Sequence, residues 1–100
     1  DLAKILLFLL ENYEDPEPIN VGNPNEFSIR EIADKIKEFM GYDGEIEWDI
    51  TKPAGQFRKP SCNKKLQALG WSPSDYTPLE VSLERSCQWF KSNYPNVRGA

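Results

Sequence analysis

A short basic segment, Thr51–Lys65, is the part of this chain whose residue types and spacing best suit chemistry with a ligand. It reads TKPAGQFRKPSCNKK and holds five basic residues and no acid, whereas the whole chain has a formal net charge of −4. Pro53, Pro60 and Gly55 disfavour a regular helix, so we expect a loop, called the basic loop below. Aligned Lys and Arg donors suit a small anion of fixed geometry such as a diphosphate. A solvated basic surface without a ligand is the alternative.

The other reactive side chains do not combine into a catalytic or metal site. The chain has no histidine, which removes His-based acid–base catalysis and most zinc sites. Cys87 falls on an apolar helical stripe and Cys62 lies in the basic loop, and neither has an activating base or a CxxC partner. The carboxylates between Glu11 and Glu17 keep no calcium-ligand spacing. We therefore predict no catalytic residue and no metal site in this chain.

Composition narrows the class of protein. A chain of 100 residues with 39% hydrophobic and 12% aromatic residues indicates one folded domain or a part of a larger one. The net negative charge disfavours a nucleic-acid partner. The longest apolar run, Ile5–Leu10, is far shorter than the ~20 residues of a membrane span. Two cysteines are too few for a disulfide scaffold, so a reducing, cytoplasmic location is expected.

The first predicted helix runs from Asp1, as N-cap, to about Tyr13. Its apolar residues lie almost all the way round the helix instead of forming one stripe. A helix that is apolar on every side is buried on every side. Because so short a chain can cover only one face, the other face requires a partner outside this chain.

The rest of the chain predicts a small α/β lobe, with two short parallel strands, three or four helices and one domain over residues 1–100. Ser28 and Glu31 form a capping box for a helix that ends at Gly41, and Thr77 with Glu80 forms a second capping box with Pro at N1. Two strands joined by a helix are expected to be parallel with a right-handed crossover. The elements that complete the prediction are a strand at Ile19–Val21, a strand at Glu45–Ile50 and a helical turn at Asn63–Leu69.

Several segments resemble the C-terminal region of the extended short-chain dehydrogenase/reductases that act on nucleotide sugars. The segment INVG followed by SIREIA is shared by many sugar-nucleotide enzymes. KPAGQFRK, then LGW, then the closing WFKSNY are most similar to the GDP-L-fucose synthase family. The resemblance spans essentially all of the chain.

This resemblance implies a parent enzyme that converts GDP-4-keto-6-deoxy-mannose to GDP-L-fucose by 3,5-epimerisation and NADPH-dependent 4-reduction. In that family an N-terminal Rossmann domain supplies GxxGxxG, binds NADP(H) and carries a Tyr-x-x-x-Lys catalytic pair. Neither motif occurs in this sequence. The resemblance therefore implies that residues 1–100 are the C-terminal substrate-binding lobe of a cytoplasmic, homodimeric parent, and that this lobe alone binds no cofactor and is inactive.

The family pattern KPDGQxRK matches the basic loop, so the resemblance implies that the substrate contacts of the family lie in this loop. This chain has Ala54 where the family has Asp, which removes a charge-assisted acceptor for the nucleotide sugar. Two alternatives stay open: the same lobe of another nucleotide-sugar dehydratase or epimerase, or a non-catalytic module that docks on a partner protein through the first helix. The candidate substrate-binding residues are Lys52, Ala54, Gly55, Gln56, Arg58 and Lys59.

Overall fold

The computed structural model describes residues 1–98 of the chain, and these form four α-helices and one short 3₁₀ turn. No helix among these residues is both long and apolar enough to cross a membrane. The helices are α1 (Leu2–Asn12), α2 (Ile29–Met40), α3 (Lys64–Ala68) and α4 (Leu79–Asn93), and the 3₁₀ turn is Pro73–Asp75.

Residues 1–98 contain no β-strand, so the predicted α/β class with two parallel strands is wrong. Ile19–Val21 and Glu45–Ile50 belong to no helix and to no ladder. Alternating apolar residues show which side chains face a core, but a strand exists only where a second backbone pairs with it. Residues 1–98 are helical with long connecting loops, and their four α-helices fall within the predicted three or four.

Contacts between residues divide the chain into two compact units. The first unit consists of Asp1–Glu26 and Ala54–Thr77 and contains α1, α3 and the 3₁₀ turn. The second unit comprises residues 27–53 and, at the end of the described chain, residues 78–98, with α2 and α4. That residues 1–100 act as one substrate-binding lobe stays a prediction.

Two fully buried aliphatic side chains, Ile5 of α1 and Leu66 of α3, are the centre of the first unit. The same unit contains an aromatic group: the ring centroids of Phe8 and Trp71 lie 5.4 Å apart, and those of Trp71 and Tyr76 lie 6.1 Å apart in an edge-on arrangement. Tilted and edge-on ring pairs of this kind add stability beyond the area they bury.

One face of α1 stays in solvent. Leu7 is 64% exposed and Leu10 is 80% exposed. The prediction that this chain leaves part of its first helix uncovered is confirmed.

The second unit is built by packing α2 against α4. Cys87 of α4 is buried, as expected of a cysteine on an apolar stripe. Polar contacts connect the same helices at their edges: Lys35 forms an ion pair with Glu80, and Lys91 Nζ donates to the Phe39 carbonyl at 2.9 Å. The Lys35–Glu80 ion pair contributes little to stability, because it is exposed to solvent.

The helix α2 begins and ends where its sequence signals predict. Ser28 Oγ accepts from the Glu31 backbone N–H at 3.1 Å, and the Glu31 carboxylate accepts from the Ser28 backbone N–H at 2.7 Å. Gly41 ends the helix in the left-handed conformation, with φ of 66°. Both predicted caps are confirmed.

Asp1 is the N-cap residue of α1, as predicted, whereas the capping box predicted at Thr77 is wrong. Asp1 stands at the N-cap position of α1 without a side-chain cap bond, and Pro78, not Thr77, stands at the N-cap position of α4. Asp1 and Thr77 bind each other instead: the Asp1 carboxylate accepts from Thr77 N–H at 3.0 Å and from Thr77 Oγ1 at 2.6 Å. A carboxylate that receives two donors from one residue makes charge-assisted bonds, which here replace local side-chain cap bonds.

Candidate functional site

The candidate substrate-binding residues all lie on exposed, non-helical backbone before α3. Lys52 belongs to the second unit, whereas the candidates from Ala54 to Lys59 belong to the first. Between them Phe57 is 100% exposed, although it is a large apolar side chain. The loop therefore offers its side chains to solvent, as a surface that binds a ligand from solution requires.

Arg58 is the one candidate whose side chain is held by a protein partner among the described residues. Its Nε donates to Glu26 Oε1 at 3.1 Å, and its Nη2 donates to Glu26 Oε2. The hydrogen bond from Arg58, together with the charge of its guanidinium, lowers the pKa of Glu26, and the same pair raises the pKa of Arg58. Glu26 therefore remains ionised and grips one edge of the guanidinium.

The other candidate donors are free to meet an anion. Within residues 1–98, the side chains of Lys52, Gln56 and Lys59 make no hydrogen bond or ion pair with the protein. Ala54 has no polar side chain, and no neighbouring heavy atom lies within 4 Å of the position that a Cβ on Gly55 would take. The candidates of the first unit thus offer one oriented guanidinium, one ammonium group and one amide, and Lys52 in the second unit offers a further ammonium group.

The end of the basic loop is anchored to the turn that follows Val21. The Gly22 carbonyl accepts from Asn63 Nδ2 at 2.5 Å and from Tyr76 Oη at 2.7 Å. A Cβ on Gly22 would lie 2.7 Å from Ser61 Cβ, so the loop passes Gly22 as closely as glycine permits. Burial raises the pKa of Tyr76, which keeps its hydroxyl protonated as a donor.

Asn63 combines this anchor with an unsatisfied acceptor. Its side chain is buried, and its Oδ1 has no hydrogen-bond partner within the described residues. The sequence predicted Asn63 only as the start of a helical turn, and it does stand at the N-cap position of α3, without a side-chain cap bond. Its anchoring role is not readable from the sequence, because Gly22 lies 41 residues away.

The remaining basic residues of the loop have different surroundings. Lys64 and Lys65 open α3 and are exposed, and Lys65 Nζ makes one long contact of 3.4 Å with the Pro18 carbonyl. Cys62 is an exposed free thiol. No group of three or more His, Cys, Asp or Glu residues in the described part of the chain is arranged to hold a metal ion.

An apolar groove of about 340 Å³ lies in the second unit, between α2 and α4. The residues that line it are Ile36, Met40, Leu83, Ser86, Cys87 and Phe90. None of them is charged, so the groove offers no partner for a diphosphate.

Proteins named GDP-L-fucose synthase are similar to this chain over nearly its whole length. GDP-L-fucose synthase 1 of Arabidopsis thaliana is 40% identical over 96% of the chain and 29% of its own length. The GDP-L-fucose synthase of Sinorhizobium fredii is 39% identical over 93% of the chain and 29% of its own length. A GDP-L-colitose synthase of Yersinia pseudotuberculosis is 33% identical over 96% of the chain and 31% of its own length.

The chain thus spans about three tenths of the length of the relatives it matches. No family model matches the chain. No solved structure matches it either. The similarity confirms the resemblance to GDP-L-fucose synthases that the loop motif indicates.

Proposed function

We propose that this chain, homologous to about three tenths of the length of GDP-L-fucose synthases, is the substrate-binding portion of such an enzyme. The parent protein would convert GDP-4-keto-6-deoxy-mannose to GDP-L-fucose, as an NADP-dependent reductase and epimerase. In this proposal the chain carries no catalytic residue, and the parent is a cytoplasmic homodimer. The residues assigned to the diphosphate or sugar are Lys52, Ala54, Gly55, Gln56, Arg58 and Lys59.

One observation supports this assignment most directly: an exposed run of donors in an acidic chain has one member already oriented by a carboxylate. Arg58 is held by Glu26, and the ammonium groups of Lys52 and Lys59 have no protein partner among residues 1–98. Lys can meet a phosphate oxygen as a point charge, whereas Arg binds two oxygens along one edge. A diphosphate offers oxygens for both modes.

The cofactor is assigned to the part of the parent outside this chain. The chain lacks the Gly-rich turn that places a pyrophosphate at a helix N-terminus, so its residues do not fit NADPH. When bound to the parent, NADPH supplies the hydride for the reduction. The role of this chain is to hold the nucleotide sugar so that its sugar ring is correctly placed for that step.

Ala54, which stands where the family pattern has Asp, is expected to affect how tightly and how selectively GDP is bound. A carboxylate at that position could accept hydrogen bonds from the hydroxyl groups of the nucleotide sugar, and alanine cannot. The remaining polar side chains are three cations and the amide of Gln56, and the cations recognise the diphosphate and not the rest of the nucleotide. We expect affinity and selectivity for GDP to be lower than with an aspartate at this position.

A second candidate function is the same lobe acting on a different nucleotide sugar. The similarity to a GDP-L-colitose synthase favours it, because that relative matches as much of the chain as the fucose synthases do. The sugar ring is the part that differs, and the diphosphate contacts would be shared. Assaying NADPH oxidation by the complete gene product with GDP-4-keto-6-deoxy-mannose and with other keto-sugar nucleotides separates these candidates. Absence of turnover with any nucleotide sugar favours the non-catalytic module.

Replacing Arg58 tests the binding role. In the complete gene product, Arg58→Ala is expected to weaken GDP binding roughly tenfold or more, the usual range for losing hydrogen bonds to a charged group. Isothermal titration with GDP measures the change, and the wild-type affinity should fall as salt is added, because the charges are exposed.

Lys64→Ala is the matched control, since it removes a nearby positive charge at the start of α3. It should change GDP affinity little. Equal affinities for wild type and Arg58→Ala would show that the basic loop is only a solvated surface.

A further inference from the structure

Two contacts join the segment 22–26 to the segment 58–63 in the first unit. The Gly22 carbonyl binds the Asn63 side chain, and the Glu26 carboxylate binds Arg58. The first residue of one segment pairs with the last of the other, so the two segments run in opposite directions. Glu26 therefore follows a turn that two side chains already hold in place: Asn63, which is buried, and Tyr76, which is partly buried.

The way in which Glu26 holds Arg58 leaves part of the guanidinium unused. A guanidinium has five N–H donors in a fixed plane. Glu26 takes the edge formed by Nε and Nη2, which consumes one donor from each nitrogen. Both donors of Nη1 and the second donor of Nη2 remain, and they lie in the same plane, away from the edge that Glu26 occupies. The Arg58 side chain is 64% exposed, so these three donors can reach a ligand from solvent.

The negative charge of Glu26 has two opposing effects on an anion bound to this edge. It repels the anion, but the repulsion acts across the width of the guanidinium between exposed groups, where water and salt screen it strongly. It also fixes the plane of the long Arg58 side chain before the anion binds. The side chain then loses less conformational entropy on binding than a freely rotating one would. Because direct charge-assisted bonds depend steeply on geometry, we expect the gain in orientation to exceed the screened repulsion.

We propose that Glu26 is a positioning residue of the diphosphate site: it holds Arg58 by one edge so that the other edge faces two oxygens of a nucleotide diphosphate. This inference rests on the proposed function. Glu26 does not touch the ligand and acts through Arg58. The arrangement also gives a reason for the pairing of Arg58, the one arginine of the basic loop, with an acid from outside that loop.

Replacing Glu26 in the complete gene product tests the proposal, with GDP as the probe and titration calorimetry as the readout. Glu26→Ala is expected to weaken GDP binding roughly threefold to tenfold, within the usual coupling between contacting residues. Glu26→Asp should recover part of the loss. If nucleotide-sugar turnover is measured, KM should rise while kcat stays near the wild-type value, which a general loss of folded protein would not produce.

The double variant Glu26→Ala with Arg58→Ala separates the possible outcomes. If Glu26 acts through Arg58, the double variant binds GDP no more weakly than Arg58→Ala alone. If Arg58→Ala weakens binding and Glu26→Ala leaves it unchanged or tightens it, the positioning role is wrong and the binding site stands.

If Arg58→Ala has no effect, the proposed function itself fails. Glu26→Gln, which preserves the shape of the side chain, replaces Glu26→Ala should the latter unfold. Unchanged or tighter GDP binding by Glu26→Gln would then overturn the positioning role.

Discussion

Because Gly22 has no side chain, the turn after Val21 can contact the end of the basic loop in the first unit. Its carbonyl oxygen accepts two side-chain hydrogen bonds, at 2.5 Å from Asn63 and 2.7 Å from Tyr76. Both donors are wholly or partly buried, so losing these bonds would leave polar groups without partners. The position of the basic loop therefore depends on one glycine and the two donors that converge on it.

Gly22→Ala is expected to destabilise the chain by about 1–3 kcal/mol, the usual cost of overpacking a filled site. The new Cβ would stand 2.7 Å from Ser61 Cβ, closer than such atoms approach. Gly55→Ala is the control, because nothing lies within 4 Å of its Cβ position. Urea unfolding of both variants checks the difference. Equal free energies of unfolding would contradict the close approach, and Ser61→Gly should restore part of the stability lost in Gly22→Ala.

The candidate site could be predicted from the sequence only in part. Arg58 was identifiable because it lies in a loop motif and in a cluster of like charges, both of which are local. Glu26 was not, because it stands 32 residues away and nothing in its own surroundings marks it as a partner. The same holds for Gly22 and Asn63, which are 41 residues apart. Motifs identify the groups that could touch a ligand, whereas the groups that orient them become visible only in the fold.

Among the elements, helices with complete local signals form as the sequence predicts. The helix α2 has its capping box, its apolar period and its terminal glycine within one stretch of chain. The capping box predicted at Thr77 failed, and Thr77 instead donates hydrogen bonds to Asp1, which lies 76 positions away. The strand predictions failed because pairing needs a second strand, which no local pattern guarantees. Local signals therefore predicted the helices well, and predicted contacts between residues far apart in the sequence poorly.

The capping box of α2 makes stability depend on acid pH. Hydrogen bonds from the Ser28 backbone N–H, and then from its hydroxyl, lower the pKa of Glu31 in the folded chain. A lowered folded pKa contributes stability above the unfolded pKa, and this stability is lost as pH falls through the folded value. Glu31→Gln should therefore flatten the acid side of the stability curve. Thermal unfolding between neutral pH and about pH 3 measures it.

Ser28→Ala is the companion variant for this element. It removes the hydroxyl but keeps the backbone N–H, so it should flatten the acid slope less than Glu31→Gln. It should also cost about 1 kcal/mol near neutral pH, as the loss of an N-cap usually does. An acid slope in Glu31→Gln as steep as in the wild type would contradict a role for this carboxylate in the pH dependence.

At the scale of the whole molecule, large apolar side chains in solvent outnumber those in the core among residues 1–98. Only Ile5, Leu66 and Cys87 are buried apolar residues within residues 1–98. Apolar area left in water contributes nothing to the hydrophobic stabilisation of a fold, and contiguous apolar patches mark surfaces that bind another protein surface. The large side chains left exposed on α1 are Leu2, Leu6, Leu7 and Leu10, and those on α4 are Val81, Trp89 and Phe90.

The exposed face of α1 leads to a prediction about the isolated 100-residue chain. With Leu7 and Leu10 in solvent, we expect the chain to self-associate and to bind a hydrophobic dye, because burying this face against a second copy removes apolar area from water. Replacing Leu7 by Lys and Leu10 by Glu together should shift the chain towards monomer without lowering its thermal midpoint. Analytical ultracentrifugation and thermal unfolding measure the two effects.

Ile5→Ala supplies the contrast on the same helix. Ile5 is buried, so its truncation should cost about 2–5 kcal/mol of stability, or abolish folding, without first removing the self-association. The two faces of α1 would then have separate roles, one holding this unit together and the other contacting a surface outside it. Loss of stability in the Leu7 and Leu10 variant as large as in Ile5→Ala would show instead that the chain covers this face itself.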